Sequence, residues 1–296
     1  MRKAFRGGAA LLAAIAAAFC ASPASAEQTL KPAISPPTSL LNTVKAPAAN
    51  AKTGKFVVCT ELGNPPADFL ADDGVTLQGF NIDVIDALGP VMGIKSEVVT
   101  LPFASIFAAL DTDKCDAVMS TNSKSAARVA KYNFVEYMRI RIGLLVPTGN
   151  PFGIKTFQDL SGKRAAVLLS STSERVLKEA SDRLEAQGKP GIERHAYPEN
   201  AVAFRDLGLG RVDAFVSDAM TLAYFKSLGA DKFIVGGLPG DNLVIGIVLR
   251  KDEPELQQAL YDAYYKLYSA GFVDASAKRW GMEGIVDLCN ARDACQ

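Results

Sequence analysis

Short apolar runs alternating with helix-spaced segments, in two successive sets, constrain this chain more than any other feature. From Lys55 onward, 56–59 reads as a buried strand, and Ile82, Ile85 and Leu88 fall at helical spacing within 80–88. A strand at 96–100, a helix at 103–110 and a strand at 116–120 come next. The texture repeats beyond Pro151, with a strand at 165–169 and a helix that buries Val176, Leu177, Ala180 and Leu184 before Gly188 stops it. Then come a helix at 201–207, a strand at 212–217 and a helix at 218–227. A strand at 243–249 and a closing helix complete the chain, with Asp252 as cap, Pro254 in its first turn and Gly271 at its end. Such alternation means βαβ units with parallel sheets and right-handed crossovers. Two α/β sets of similar size leave a cleft between them, and ligands in open α/β sheets sit beyond the carboxyl ends of the strands. Residues just after strands are therefore the functional candidates.

The N-terminus is of a different kind. A basic start containing Arg2, Lys3 and Arg6, a short apolar core over 9–21 and the small-x-small triplet Ala24-Ser25-Ala26 predict a secretory signal peptide cleaved after Ala26. The apolar core falls short of the ~20 residues a bilayer span requires. The bulky Phe19 ahead of Cys20 opposes a lipoprotein reading. Residues 27–54, rich in Pro, Ala and polar residues, read as a tether, an extension or linker ahead of the two α/β sets. Taking Arg2, Lys3 and Arg6 from the 32 basic residues leaves a net charge of −3 against the 32 acidic ones. A nucleic-acid binder would show a basic excess.

Export also places Cys59, Cys115, Cys289 and Cys295 in an oxidising space. Cys289 and Cys295 flank a short polar loop and are expected to be bonded. Cys59 lies in a strand and Cys115 at the start of another, too far apart in that register for a bridge, so both are expected as buried thiols. No CxxC and no Cys/His cluster has metal-ligand spacing, and His195 is the 1 histidine of the chain, so neither a metal nor a cofactor is expected.

Several candidates sit at strand ends. Glu61 is either a cleft carboxylate for a polar or cationic group or a solvated loop acid. Arg128, on a short helix that Ser125 can cap, is either a bidentate carboxylate clamp or a surface charge. Ser171 and Glu174 form a capping box at a helix start, leaving the amides of Thr172 and Ser173 free for an anion; the alternative is an ordinary βα turn. Asp218 holds an ammonium or simply caps the next helix, and Phe103 is a ligand wall or a core aromatic. No nucleophile elbow, phosphate loop or dinucleotide fingerprint is present. An arginine and helix amides for an anion, with acids for a cation, describe a zwitterion trap.

The segments LQGFNIDVIDALGPVMG, PFASIFAALDTDKCDAVMSTNSKSAARVAKYNF, DLSGKRAAVLLSSTSE, GRVDAFVSD, GIVLRKDEPEL and SAGFVDASAKRWG occur in one order over 55–283. This ordered set resembles the family 3 extracellular solute-binding proteins, the periplasmic amino-acid receptors of ABC importers. The resemblance implies a type II periplasmic-binding-protein fold, α/β, whose two lobes carry parallel-rich sheets joined by two crossover hinge strands. Lobe 1 would span 55–146 plus 249–296, lobe 2 147–243, and a return hinge strand 244–248. By the same resemblance Arg128 clamps the ligand carboxylate, with Thr121, Ser123 and the Thr172 amide beside it, and Asp218 holds the ammonium. Glu61 would lie near the ligand side chain and Phe103 would stack on it. Asn64 stands where relatives usually carry an aromatic, Ala67 replaces the Phe of their PPF, and Ser170 replaces a frequent Gly. The implied partners are a polar or charged L-amino acid and an inner-membrane ABC permease, with the protein a monomer and not an enzyme. Two rivals share the fold: a periplasmic cyclohexadienyl dehydratase acting on prephenate or arogenate with Glu61 as general acid, and a ligand-sensing accessory subunit.

Overall fold

The computed structural model describes residues 33–229, 231–292 and 295. The signal segment, Cys20, the cleavage point after Ala26 and residues 27–32 lie outside the described residues. A short helix α1 (Ala48–Thr53) leads into β1 (Lys55–Glu61), the central strand of lobe 1. A small hairpin of β2 (Phe69–Leu70) and β3 (Leu77–Gln78) precedes α2 (Phe80–Val91). Then come β4 (Lys95–Leu101), α3 (Phe103–Asp111), β5 (Ala117–Val118) and α4 (Ala126–Lys131). β1 pairs in parallel with β4 on one side and β5 on the other. Phe56 and Val58 enter a core with Ile85 and Leu88 of α2, while Val57 and Cys59 face Ile106 and Leu110 of α3. A strand covered on both faces reads as an unbroken apolar run, which is why 56–59 is legible as a strand.

β6 (Tyr132–Pro147) then crosses into lobe 2, which holds β7 (Arg164–Leu168), α5 (Thr172–Ala186), β8 (Glu193–Tyr197), α6 (Asn200–Gly208), β9 (Ala214–Asp218), α7 (Ala219–Leu228) and β10 (Phe233–Gly237). β7 pairs in parallel with β8 and β9. β11 (Asn242–Arg250) returns antiparallel to β6, from Asn242 opposite Arg141 to Arg250 opposite Tyr132. The far half of β6 pairs with β9 and β10. One continuous order, β4-β1-β5-β11-β6-β9-β7-β8, thus threads both lobes. α8 (Pro254–Ser269), α9 (Phe272–Arg279) and β12 (Asp287–Leu288) close the chain on lobe 1. This is the two-lobe type II fold.

Four expectations are corrected. Residues 33–54 are no free tether: Val44 and Ala46 are buried in the lobe 1 core, and the amides of Asn42, Thr43 and Val44 donate to carbonyls at the end of α2. Burial of these two side chains and the bonds of that backbone outweigh the Pro-rich composition. Cys59 and Cys115 are not thiols but a disulfide, with Cα atoms 5.7 Å apart. The reason lies in β5, which is only two residues long: Val118 is the partner of Cys59, so Cys115 falls ahead of the strand, in the α3-facing core. The helix after β11 starts from Glu253 rather than Asp252, with Pro254 at its first position. Glu174 reaches back to the amide of Ser170 (2.7 Å), one residue before the cap Ser171 that the pattern predicts as its partner. The bond between Cys289 and Cys295 is present, with Cα atoms 5.5 Å apart.

Candidate functional site

The ends of β1, β5, β7 and β9 converge on one cleft between the lobes. Glu61, Asn64, Phe103, Thr121, Ser123, Ser171, Thr172 and Asp218 all line it, around about 490 Å³ of empty space counted to the open mouth. Among the sequence candidates only Arg128 is absent from that lining. The lobes touch across it. Ser123 Oγ and Thr172 Oγ1 are 2.5 Å apart, Thr221 Oγ1 donates to Asn64 Oδ1 at 2.8 Å, and Asn200 Nδ2 reaches the Gly63 carbonyl at 3.4 Å. The conformation is closed.

Behind one end of the cleft stands a cation. Ser125 caps α4 by accepting from the Arg128 amide, and the Arg128 guanidinium donates through Nη1 to the carbonyl and hydroxyl of Ser123 at 3.1 and 3.2 Å. Its centre lies 4.7 Å above the Phe107 ring and 5.7 Å from that of Phe103, a cation–π arrangement. Phe103 is thus both a core residue and a cleft wall. Burial first, then the charge of Arg175, lowers the Arg128 pKa to about 10, so it stays charged at neutral pH. Opposite it, Ser171 caps α5 by accepting from the Glu174 amide at 3.1 Å. Thr172 and Ser173 occupy the first helical turn, whose amides have no intrahelical partner.

The other end is acidic. Glu61 is 2% exposed and its Oε1 has no hydrogen-bond partner. Burial, reinforced by Asp68, Asp218 and Glu199, pushes its carboxyl well above the usual range. Asp218 caps α7, accepting from the Thr221 amide and hydroxyl, both at 2.9 Å, and burial raises it as well. The cap reading of Asp218 is thus met, and its carboxyl also lines the cleft. Asn64 bridges the lobes, donating to Thr121 Oγ1 at 3.0 Å while accepting from Thr221. An amide thus does here what an aromatic wall cannot, tying one lobe to the other.

Two residues escape the sequence reading. Asp68 is fully buried, accepts from Thr60 Oγ1 at 2.5 Å and Asn81 Nδ2 at 2.9 Å, and is raised by burial to about 7. Its loop is pinned at Gly79, where a Cβ would lie 2.1 Å from the Ala67 carbonyl oxygen. Asn200, 1% exposed, lines the cleft with an unpartnered Oδ1. The Pro-Pro turn ahead of Asp68 is the one signal that could have found it, and the polar strand β8 before Asn200 offers none. His195 pairs with Glu193 on β8, away from the cleft. Among the described residues no group of three His, Cys, Asp or Glu is placed to hold a metal ion.

The family described as bacterial extracellular solute-binding proteins, family 3, matches residues 56–283. The chain belongs to this family. Within it, the chain is 29% identical over 242 residues to the L-cystine-binding protein TcyJ of Escherichia coli (strain K12), covering 81% of this chain and 85% of that protein. The crystal structure of the ancestral amino acid-binding protein AncCDT-1, a precursor of cyclohexadienyl dehydratase, is similar at a TM-score of 0.71 and 30% identity, over 78% of this chain and 97% of that one. Holo ArgBP from T. maritima shares the fold at a TM-score of 0.68 and 23% identity, over 80% of this chain and all of that one. The family 3 match leaves the docked segment 33–54 and the tail from Gly284 outside it.

Proposed function

We propose that this solute-binding protein is a periplasmic receptor that captures one L-amino acid between its lobes and delivers it to an ABC permease. One observation carries the reading: at one end of a closed cleft Ser123 receives the charged Arg128 guanidinium and touches Thr172 at a helix start with free amides, and at the other the buried Glu61 Oε1 stands unpartnered beside Asp218. Arg128, Ser123 and the Thr172 amide take the carboxylate, with Thr121 beside them, and Asp218 takes the ammonium. Glu61 Oε1 and Asn200 Oδ1 are acceptors without donors, which suits a side chain ending in an ammonium, guanidinium or amide. The relatives named for L-cystine and amino-acid binding support the ligand class. In this reading the chain is exported, cleaved after Ala26, works as a monomer without catalysis, and hinges between lobe 1 (55–146 plus 249–296) and lobe 2 (147–243) through the return strand 244–248.

Calorimetry with L-arginine, L-lysine, L-histidine, L-glutamine and L-cystine tests this. A ligand at about 100 times its Kd adds roughly 2.7 kcal/mol to the folded state. At ~2–4 °C per kcal/mol for a chain near this size, that raises Tm by about 5–10 °C. No response to any of the five removes the reading. A second reading has its own support: a buried carboxyl whose pKa is raised by burial suits a general acid, and AncCDT-1 is a precursor of a dehydratase. Phenylpyruvate formed from prephenate, or phenylalanine from arogenate, establishes it.

A further inference from the structure

The C-terminal tail meets the hinge at its one irregular point. β6 and β11 run in register until Ile245 opposes Met138 and Gly246 opposes Glu136, which leaves Tyr137 as an extra residue in β6. A bulge of this kind bends and twists a strand locally. A short way beyond it, from Ile142, β6 begins to pair with lobe 2. The tail covers this stretch from the opposite edge. β12 sets Asp287 and Leu288 against Arg139 and Met138, and the Cys289 amide donates to the Tyr137 carbonyl at 2.8 Å. The disulfide ties Cys289 to Cys295, whose amide donates to Glu136 Oε2 at 2.9 Å.

Glu136, 9% exposed, passes this restraint inward. Its Oε1 accepts from Lys124 Nζ at 2.5 Å, and the Lys124 amide donates to the Val244 carbonyl of β11 at 2.7 Å. The residue before Lys124 is Ser123, which touches both Arg128 and, across the cleft, Thr172. We infer that Glu136 is a positioning residue of the ligand cleft: clamped by the C-terminal disulfide, it fixes Lys124 and the hinge bulge so that Ser123 stands where the closed lobes meet. The tail thereby acts as a third hinge strand. Without it, β6 is held at the bulge by β11 alone, and the closed form loses part of its advantage over open ones. This rests on the proposal that closure captures a ligand.

Glu136→Ala and the double variant Cys289→Ser/Cys295→Ser, which leaves the Cys59–Cys115 bond intact, test the inference. Kd is measured for whichever of L-arginine, L-lysine, L-histidine, L-glutamine and L-cystine the parent binds most tightly, and ligand-free dimensions by small-angle X-ray scattering. Both variants are expected to expand the ligand-free distribution and to weaken binding about 5- to 20-fold, the lower part of the ~5–150-fold range of coupling between sites. Glu136→Gln, which keeps an acceptor for Lys124 but not one for Cys295 as well, is expected to fall between parent and Glu136→Ala. A lower Tm with unchanged scattering and unchanged Kd in Glu136→Ala makes the residue merely structural and overturns the inference. If the parent binds no amino acid, the scattering arm alone decides: expansion upholds the hinge role while the transport reading falls, and no expansion removes the hinge role too.

Discussion

The two ends of the cleft are built on opposite principles. At the Arg128 end every charge already has company: the guanidinium donates to Ser123 and lies over Phe107, and its charge survives burial. At the Glu61 end the protein leaves acceptors unmet, with Glu61 Oε1 and Asn200 Oδ1 lacking donors and Asp68 raised to about 7 by burial. A site finished in advance binds whatever common group it fits, in the proposed reading a carboxylate. A site with buried acceptors and no donors binds only what supplies them, because an unsatisfied buried group costs about 1–3 kcal/mol. In the proposed reading the Arg128 end takes the carboxylate all amino acids share, and the Glu61 end chooses among them.

The largest expected effect comes from removing either charge of the trap. Arg128→Ala and Asp218→Asn should each weaken binding by roughly 30- to several-thousand-fold, since truncating one partner of a desolvated pair costs about 2–5 kcal/mol. Asp218→Asn is preferred to Asp218→Ala because Asp218 also caps α7, and losing a cap costs about 0.5–2 kcal/mol of stability. Parent-like calorimetry for Arg128→Ala would break the comparison at its cationic end.

Glu61→Gln sharpens the acidic end. It should weaken a cationic amino acid by about 10- to 100-fold, glutamine far less, and raise the Tm of the ligand-free protein by relieving an unpartnered buried carboxyl. An equal loss for L-arginine and L-glutamine in the titration would show that Glu61 does not select.

The two ends should also part company with pH. Glu61 and Asp68 are raised in the folded protein, so it holds protons that the unfolded chain has released. Stability of the ligand-free protein therefore rises as pH falls from about 8 toward 5, the sign required when the native state binds more protons. Affinity for a cationic ligand moves the other way, because Glu61 must ionise to receive it. Thermal melts at four pH values, with and without ligand, check both signs, and parallel curves would contradict the assignment. The smallest effect is expected for Thr172→Ala. Its amide remains and only the contact with Ser123 is lost, about 0.5–1.5 kcal/mol, a few-fold in Kd by calorimetry.

What is legible in the sequence is what is local. The caps Ser125, Ser171 and Asp218 act within one helical turn, so their roles depend on neighbours three residues away. β1 announces itself because both its faces are covered. β6 does not, since Glu136, Arg139 and Arg141 interrupt its apolar run; these side chains answer to the tail and to the 238–240 turn, partners far off in the chain. The Cys59–Cys115 bond is hidden because Cys115 lies just ahead of β5, in a turn whose path only the packing of α3 determines. Asp68 and Asn200 are hidden for the same reason: a tight approach at Gly79 and the meeting of two lobes bring them to the site.

β6 belongs to both sheets, flanked by β11 on the lobe 1 side and by β9 and β10 on the lobe 2 side. Neither half of the molecule owns its own innermost strand. Melting one lobe strips the ladder partner from the other, so local loosening cannot stop at the cleft. The heat capacity trace should accordingly show one cooperative peak rather than two, with calorimetric and van't Hoff enthalpies in agreement. A receptor put together this way can swing about its waist without ever being two proteins.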